Sequence, residues 1–168
     1  MTAASPEKSS CLSSLISFRA HGKRNAARIV LRDEQLKQAD KFLYKANKTL
    51  KGHFSTSKSF VNKLLRRNWY QVKDTDGVFA VSRLSASRST VEGGTGWAVQ
   101  MAVDSKKPVY VFDTVRSSWQ RYDYTKGKFM SCEAPRLTFN FTGIGTRTLP
   151  DNGKAAIEQI FERTFGKP

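Results

Sequence analysis

The stretch TVEGGTGWAVQMAVDSKKPVYVFD, residues 90–113, decides how this chain reads. It sets a glycine-rich loop, Glu92-Gly93-Gly94-Thr95-Gly96, ahead of a helical run from Trp97 to Val103 and an apolar run from Pro108 to Phe112. Another apolar run, Val78 to Val81, lies upstream. Strand, glycine loop, helix, strand is the order of a βαβ unit and predicts a parallel sheet. Glycines ahead of a helix also suit phosphate. They let the backbone come close, and the helix N-terminus offers free N–H groups and the positive end of its dipole. On this reading Gly93, Gly94, Thr95 and Gly96 hold a phosphate through their N–H groups, and Thr95 adds a hydroxyl. The plain alternative is a tight strand-to-helix turn with no ligand.

Outward from this unit the chain repeats the pattern once. Leu137 to Phe141 reads as a strand running into a second glycine loop, Thr142-Gly143-Ile144-Gly145-Thr146-Arg147. A final helix starts at Pro150 to Asn152, packs through Ala156, Ile157, Ile160, Phe161 and Thr164, and stops at Gly166. Ligands of open α/β sheets sit at the C-terminal ends of the strands. Two glycine loops after two strands therefore predict one crevice, with Gly143, Gly145, Thr146 and Arg147 as its second wall.

Upstream, Asp33 to Lys51 reads as one amphipathic helix, with Leu36, Ala39, Leu43, Ala46 and Leu50 at spacings of three and four and Gly52 as its stop. Ser57 to Arg67 reads as a second helix. Ser82 to Val91 is polar and serine-rich and reads as a mobile connection beside the glycines. Ser118 to Asp123 and Lys128 to Glu133 form a hairpin around Thr125-Lys126-Gly127, with Trp119, Tyr122 and Phe129 expected on one face.

The totals bound the function. A length of 168 residues suits one domain, read as residues 26–168 behind a flexible N-terminal segment, 1–25. A net charge of +15 favours polyanionic partners, although the cations are spread along the chain. Cys11, Cys132, His21 and His53 have no metal-ligand spacing, so no metal site is expected. No apolar run approaches the roughly 20 residues of a membrane span. The expected compartment is the cytoplasm. Arg19, Lys23 and Arg24 in an acid-poor N-terminal segment leave a mitochondrial address as the alternative.

Three segments carry a resemblance to a known family. The GGTG loop with its helix and KPVYVFD strand, the Arg67-Asn68 pair ahead of GVFAV, and FTGIGTRTLPDNGKAAIEQIF together resemble the Smf/DprA–LOG (SLOG) Rossmann-like superfamily, over roughly residues 55 to 165. That superfamily includes lysine-decarboxylase-like phosphoribohydrolases and nucleotide-sensing domains. The resemblance implies a Rossmann-like three-layer α/β sandwich with a mostly parallel sheet. It implies circular permutation too, because the unit that usually opens such domains here comes last. It further implies that Arg67 and Asn68 touch ligand or a dimer partner, and that the protein is a homodimer. One departure stands out. The glutamate of the phosphoribohydrolase pattern falls on Gln100 and the loop threonine on Trp97. An amide cannot serve as a general base.

The expected function is therefore binding of a nucleotide or another phosphorylated ribose, with Gln100 contacting ribose or base. One alternative is hydrolysis of a nucleotide N-glycosidic bond, with Glu92 as the substitute carboxylate. The other is a basic nucleic-acid-binding module, by analogy with the DprA branch.

Overall fold

The fold is built around β3 (Gly77–Ser82), whose six residues are all buried. Successive strand side chains face opposite sides of a sheet, and β3 uses both. Val78 and Ala80 face one apolar cluster, while Phe79 and Val81 face another. A strand buried on both faces must lie inside the sheet. β3 pairs in parallel with β4 (Val109–Asp113) on one side and with β7 (Phe141–Gly145) on the other. β5 (Ser118–Asp123) and β6 (Lys128–Ser131) extend the sheet antiparallel, giving the order β6-β5-β4-β3-β7. The sheet is thus mixed, with a parallel centre. The computed structural model describes residues 14–17, 27–146 and 148–167, so most of segment 1–25 lies outside the described residues. A separate parallel pair, β1 (Ser14–Ser17) and β2 (Ala27–Val30), stands apart from the main sheet.

Helices cover both faces. α4 (Thr95–Asp104) leaves the end of β3 and packs Ala98, Val99, Ala102 and Val103 against Val78, Ala80, Val109 and Val111. Its outer side, through Met101 and Trp97, meets a cluster from α1 (Asp33–Lys37), α2 (Asp40–Leu50) and α3 (Ser59–Val72). α4 is apolar nearly all round because it is covered nearly all round. α5 (Asp151–Phe165) lies on the opposite face, with Ala156 and Ile160 against Phe79, Val81, Phe112 and Trp119.

Several local expectations change for identifiable reasons. The single helix expected over Asp33–Lys51 is two helices. At the junction the N–H groups of Gln38 and Ala39 bond three residues back, to Gln35 and Leu36. That tight turn keeps Leu36, Ala39, Leu43 and Ala46 buried as one stripe. α2 ends on Lys51, in the left-handed region at φ 49°, one residue before the expected glycine. α3 runs five residues beyond Arg67, to Val72. Trp119 and the Tyr122–Phe129 pair do not share a face. Trp119 packs on the α5 side and Phe129 on the α4 side, as an odd spacing along a strand demands.

The segment Ser82–Val91, expected to be a mobile connection, is built into the fold. Leu84 and Val91 are buried and bridge each other, and the Phe129 N–H donates to the Arg88 carbonyl at 2.7 Å. The expected strand over Leu137–Phe141 lies further on, at Phe141–Gly145. The second set of glycines is therefore a strand edge and not a loop.

Gly96 and Gly94 should behave oppositely when substituted. A Cβ on Gly96 would sit 2.5 Å from the Val91 carbonyl oxygen, a backbone atom that cannot yield cheaply. A Cβ on Gly94 would meet nothing within 4 Å. In urea unfolding, Gly96→Ala is expected to lose about 1–3 kcal/mol, and Gly94→Ala to stay near wild type.

Candidate functional site

β3 and β7 are adjacent parallel strands whose following helices leave to opposite faces, α4 to one and α5 to the other. Such a reversal opens a crevice at the strand ends, where α/β sheets take their ligands. A cleft of about 670 Å³ lies beside this point. Gly93, Gly94 and Thr95 at the start of α4 form one wall, and Gly143, Ile144, Gly145 and Thr146 form the second. Residues of α3 form the third. The Thr95 hydroxyl donates to the Gly145 carbonyl at 3.4 Å, tying the two glycine segments together.

Three of these glycines are not explained by packing. Cβ atoms on Gly94, Gly143 or Gly145 would meet nothing within 4 Å among the described residues, and none of the three has a backbone conformation that requires glycine. Gly93 does, at φ 72°. Backbone is left bare where it borders the cleft. The N–H groups of Gly93, Gly94 and Thr95 donate to no carbonyl among the described residues, whereas the next two, of Gly96 and Trp97, close the first turn onto Gly93 and Gly94. The unsatisfied N–H groups and the dipole of α4 together give this end a partial positive charge.

The arginine pair on α3 divides its roles. Arg66 binds Asp40 with both Nε, at 2.6 Å, and Nη2, at 2.9 Å; this pairing raises its pKa. Arg67 lines the cleft, and no carboxylate pairs with it among the described residues. Its Nε is buried without a hydrogen-bond partner, and burial pushes its pKa below the ordinary guanidinium value. A cation that is partly desolvated and unpaired is costly unless an anion joins it. Asn68 and Gln71 line the cleft on the same helix, with Val61, Leu64 and Leu65 as an apolar wall. Gln71 went unread in the sequence, and Val61 and Leu64 are legible there only as one packing side of the second helix. Helical spacing from Asn68 would have found them, since positions 61, 64, 68 and 71 share one face.

Eight expected binding residues thus meet in one cleft: Arg67, Asn68, Gly93, Gly94, Thr95, Gly143, Gly145 and Thr146. Two do not. Gly96 is buried beneath the loop against Val91. Gln100 faces the far side of α4, where its Nε2 donates to Asp104 at 2.9 Å and where it lines a separate hollow with Lys45, Tyr122 and Tyr124. Five residues on from Thr95, at about 100° per residue, its side chain points roughly 140° away from the glycines. Arg147 lies outside the described residues. Trp97 packs edge-on against Phe54 and covers Gly52, so it serves the core. Glu92 lines the cleft as well, with its carboxylate 3.5 Å from the Arg83 guanidinium. It also borders a second hollow, of about 450 Å³, edged by Ser82, Thr114, Thr146 and Thr148. Among the described residues, no group of His, Cys, Asp and Glu could hold a metal, and no helix is long and apolar enough to cross a membrane.

Comparison of the chain with protein-family models, with curated proteins and with solved structures returns no match.

Two outcomes follow from these charges. Arg67→Met removes an unpaired, half-buried cation and keeps the side chain's length. It is expected to raise the stability of the free protein by about 1 kcal/mol, or roughly 2–4 °C in Tm, while weakening any anion bound in the cleft. The second concerns Tyr124, whose hydroxyl donates to the Lys107 carbonyl at 2.5 Å. Burial, with Tyr122 and Asp104 nearby, pushes its pKa up to about 12. Above about pH 10 the unfolded chain loses this proton while the folded chain keeps it. The stability linked to Tyr124 is therefore complete below that pH and is lost as pH rises through about 12. Phenolate absorbance should show a component titrating there that Tyr124→Phe removes.

Proposed function

We propose that this protein binds a nucleotide or another phosphorylated ribose compound. The phosphate would lie on the N–H groups of Gly93, Gly94 and Thr95, with Arg67 as its counter-charge. One observation carries this reading: a half-buried guanidinium, unpaired among the described residues, faces the same cleft as the N–H groups at the start of α4 that find no carbonyl there. Guanidinium and helix N-terminus both favour an anion with several acceptor oxygens. The rest of the lining suits the remainder of such a ligand. Asn68 and Gln71 offer amide donors and acceptors to a base or sugar, and Val61, Leu64 and Leu65 offer an apolar wall for a ring. The volume is within the usual range for a small-molecule site.

The SLOG resemblance adds support of a different kind. The β7–α5 unit stands beside β3–α4 in the sheet, which is the placement a circularly permuted Rossmann-like domain requires. The cleft position of Arg67 and Asn68 agrees with the contact that the resemblance implies.

A second reading rests on Glu92, the one carboxylate lining the cleft among the described residues. Beside a bound nucleotide it could stabilise positive charge developing on the ribose as the N-glycosidic bond breaks. Gln100, turned away from the cleft, has no part in either reading.

The test is a thermal-shift series with nucleoside monophosphates and ADP-ribose. Wild type is expected to gain stability with at least one of them in a concentration-dependent way. Gly94→Val, whose side chain would extend into open cleft space, and Arg67→Met should lose the gain while remaining folded. No shift with any nucleotide would overturn the binding reading. Assay of the same mixtures for free base decides the second: release that disappears in Glu92→Gln supports it, and no release removes it.

A further inference from the structure

On the side of α4 turned away from the glycines lies a hollow of about 320 Å³. Lys45 of α2, Gln100 and Asp104 of α4, Lys106, and Tyr122 and Tyr124 of the hairpin line it, and none of them borders the cleft. Gln100 and Asp104 stand four residues apart on one face of α4. Gln100 is only 4% exposed, and its Nε2 donates to Asp104 Oδ1 at 2.9 Å. A carboxylate only accepts, so this bond fixes the orientation of the amide and leaves Gln100 Oε1 as an acceptor. Gln100 Oε1 and Asp104 Oδ2 are both buried, and neither meets a donor among the described residues. Buried acceptors without donors are costly to the free protein. Two of them on residues lining one hollow point to a ligand that donates twice.

Charge and shape narrow the class. The Lys45 ammonium donates to the Asp104 carbonyl at 3.1 Å, and the Lys106 ammonium lies 4.7 Å from the centre of the Tyr124 ring. Two ammonium groups against one carboxylate leave the lining positive. A metal ion or an amine would be repelled, so the donors must be neutral N–H groups. Tyr122 and Tyr124, with ring centroids 5.0 Å apart, give the hollow aromatic walls that favour a flat ring. A flat, neutral ring with two N–H donors side by side is guanine, through its ring N1–H and its 2-amino group. Adenine and cytosine each set an acceptor nitrogen beside their amino group, and uracil has one ring N–H between two carbonyls. The volume is at the low end for a small-molecule site and suits a base.

We propose that this hollow is a second binding site, for the guanine base of a nucleoside or nucleotide. The base N1–H donates to Asp104 Oδ2 and the 2-amino group to Gln100 Oε1. Lys45 and Lys106 are exposed and suit a phosphate carried by the same ligand. The site stands independently of what the cleft binds, because its recognition is of the base and requires no phosphate.

Isothermal titration calorimetry of the full chain with guanosine, which has no phosphate, tests this. Wild type is expected to bind it. Inosine, which lacks the 2-amino group, should bind about 10-fold more weakly, and adenosine not measurably. Asp104→Asn sets an amide donor against N1–H, and Gln100→Met keeps the side chain's length without its acceptor. Each should weaken guanosine by about 10-fold or more, and circular dichroism of each variant establishes that it is folded. Guanosine should also shift the side-chain amide resonances of Gln100. Absence of guanosine binding at millimolar concentration overturns the proposal. So do equal affinities for the three nucleosides, or guanosine binding indifferent to both substitutions. Spermidine binding that both substitutions abolish would overturn it too, by marking a cation site. The nucleotide cleft is judged separately, by the thermal shifts that Gly94→Val and Arg67→Met remove.

Discussion

The first turn of α4 lies so close to the preceding segment that a Cβ on Gly96 would meet the Val91 carbonyl at 2.5 Å. Much of the molecule depends on that approach. It fixes where α4 begins and sets its axis over Val78, Ala80, Val109 and Val111. It also leaves Gly93, Gly94 and Thr95 at the edge of the cleft rather than beneath it. The serine-rich segment supplying Val91 is held in turn by Leu84, which it bridges, and by the Arg88 carbonyl, which accepts from Phe129. A polar stretch thus becomes the abutment against which the helix is seated.

Electrostatics on α3 is arranged by position along one helix. Arg66 and Arg67 are neighbours in sequence but point about 100° apart. One closes a bidentate pair with Asp40 and joins α3 to α2; the other faces the cleft, and no carboxylate pairs with it among the described residues. Adjacent residues of the same type therefore do opposite work. The first adds to the cohesion of the helical layer, and the second leaves a partly desolvated charge on the cleft wall.

How far the sequence could be read depended on whether a feature was local. The βαβ order around GGTG, the hairpin turning at Gly127 and the last helix ending at Gly166 are encoded by nearby residues, and the structure has all three. The meeting of the two glycine segments was legible too, because strand-end geometry predicts it, whereas Arg67 and Asn68 were pointed to only by the family resemblance. What failed depended on tertiary context. Gly143 and Gly145 look like a loop, yet they sit within β7 because pairing with Phe79 and Val81 holds them extended. Gln100 looked close to the glycines in sequence but rotates away with its helix to bond Asp104. Gly96 reads like its neighbours, and only the position of the Val91 carbonyl separates a packing glycine from cleft-lining ones.

The pairing of β7 with β3 has a consequence for the order of assembly. β3, α4 and β4 are consecutive, and β5 and β6 close onto β4 through short connections, so these contacts form with little loop-closure cost. β7 joins β3 only after the chain has passed through all of them, with Gly77 opposite Phe141 as the most distant register in the main sheet. Contacts of that separation form late and slow folding. Because β7 supplies one wall of the cleft, the cleft is complete only when the last strand docks. An intermediate lacking β7 would have its helical layer in place and nothing opposite the start of α4. Closure of the cleft then marks the final step of folding, and loss of β7 alone would abolish the cleft while the rest of the sheet persists.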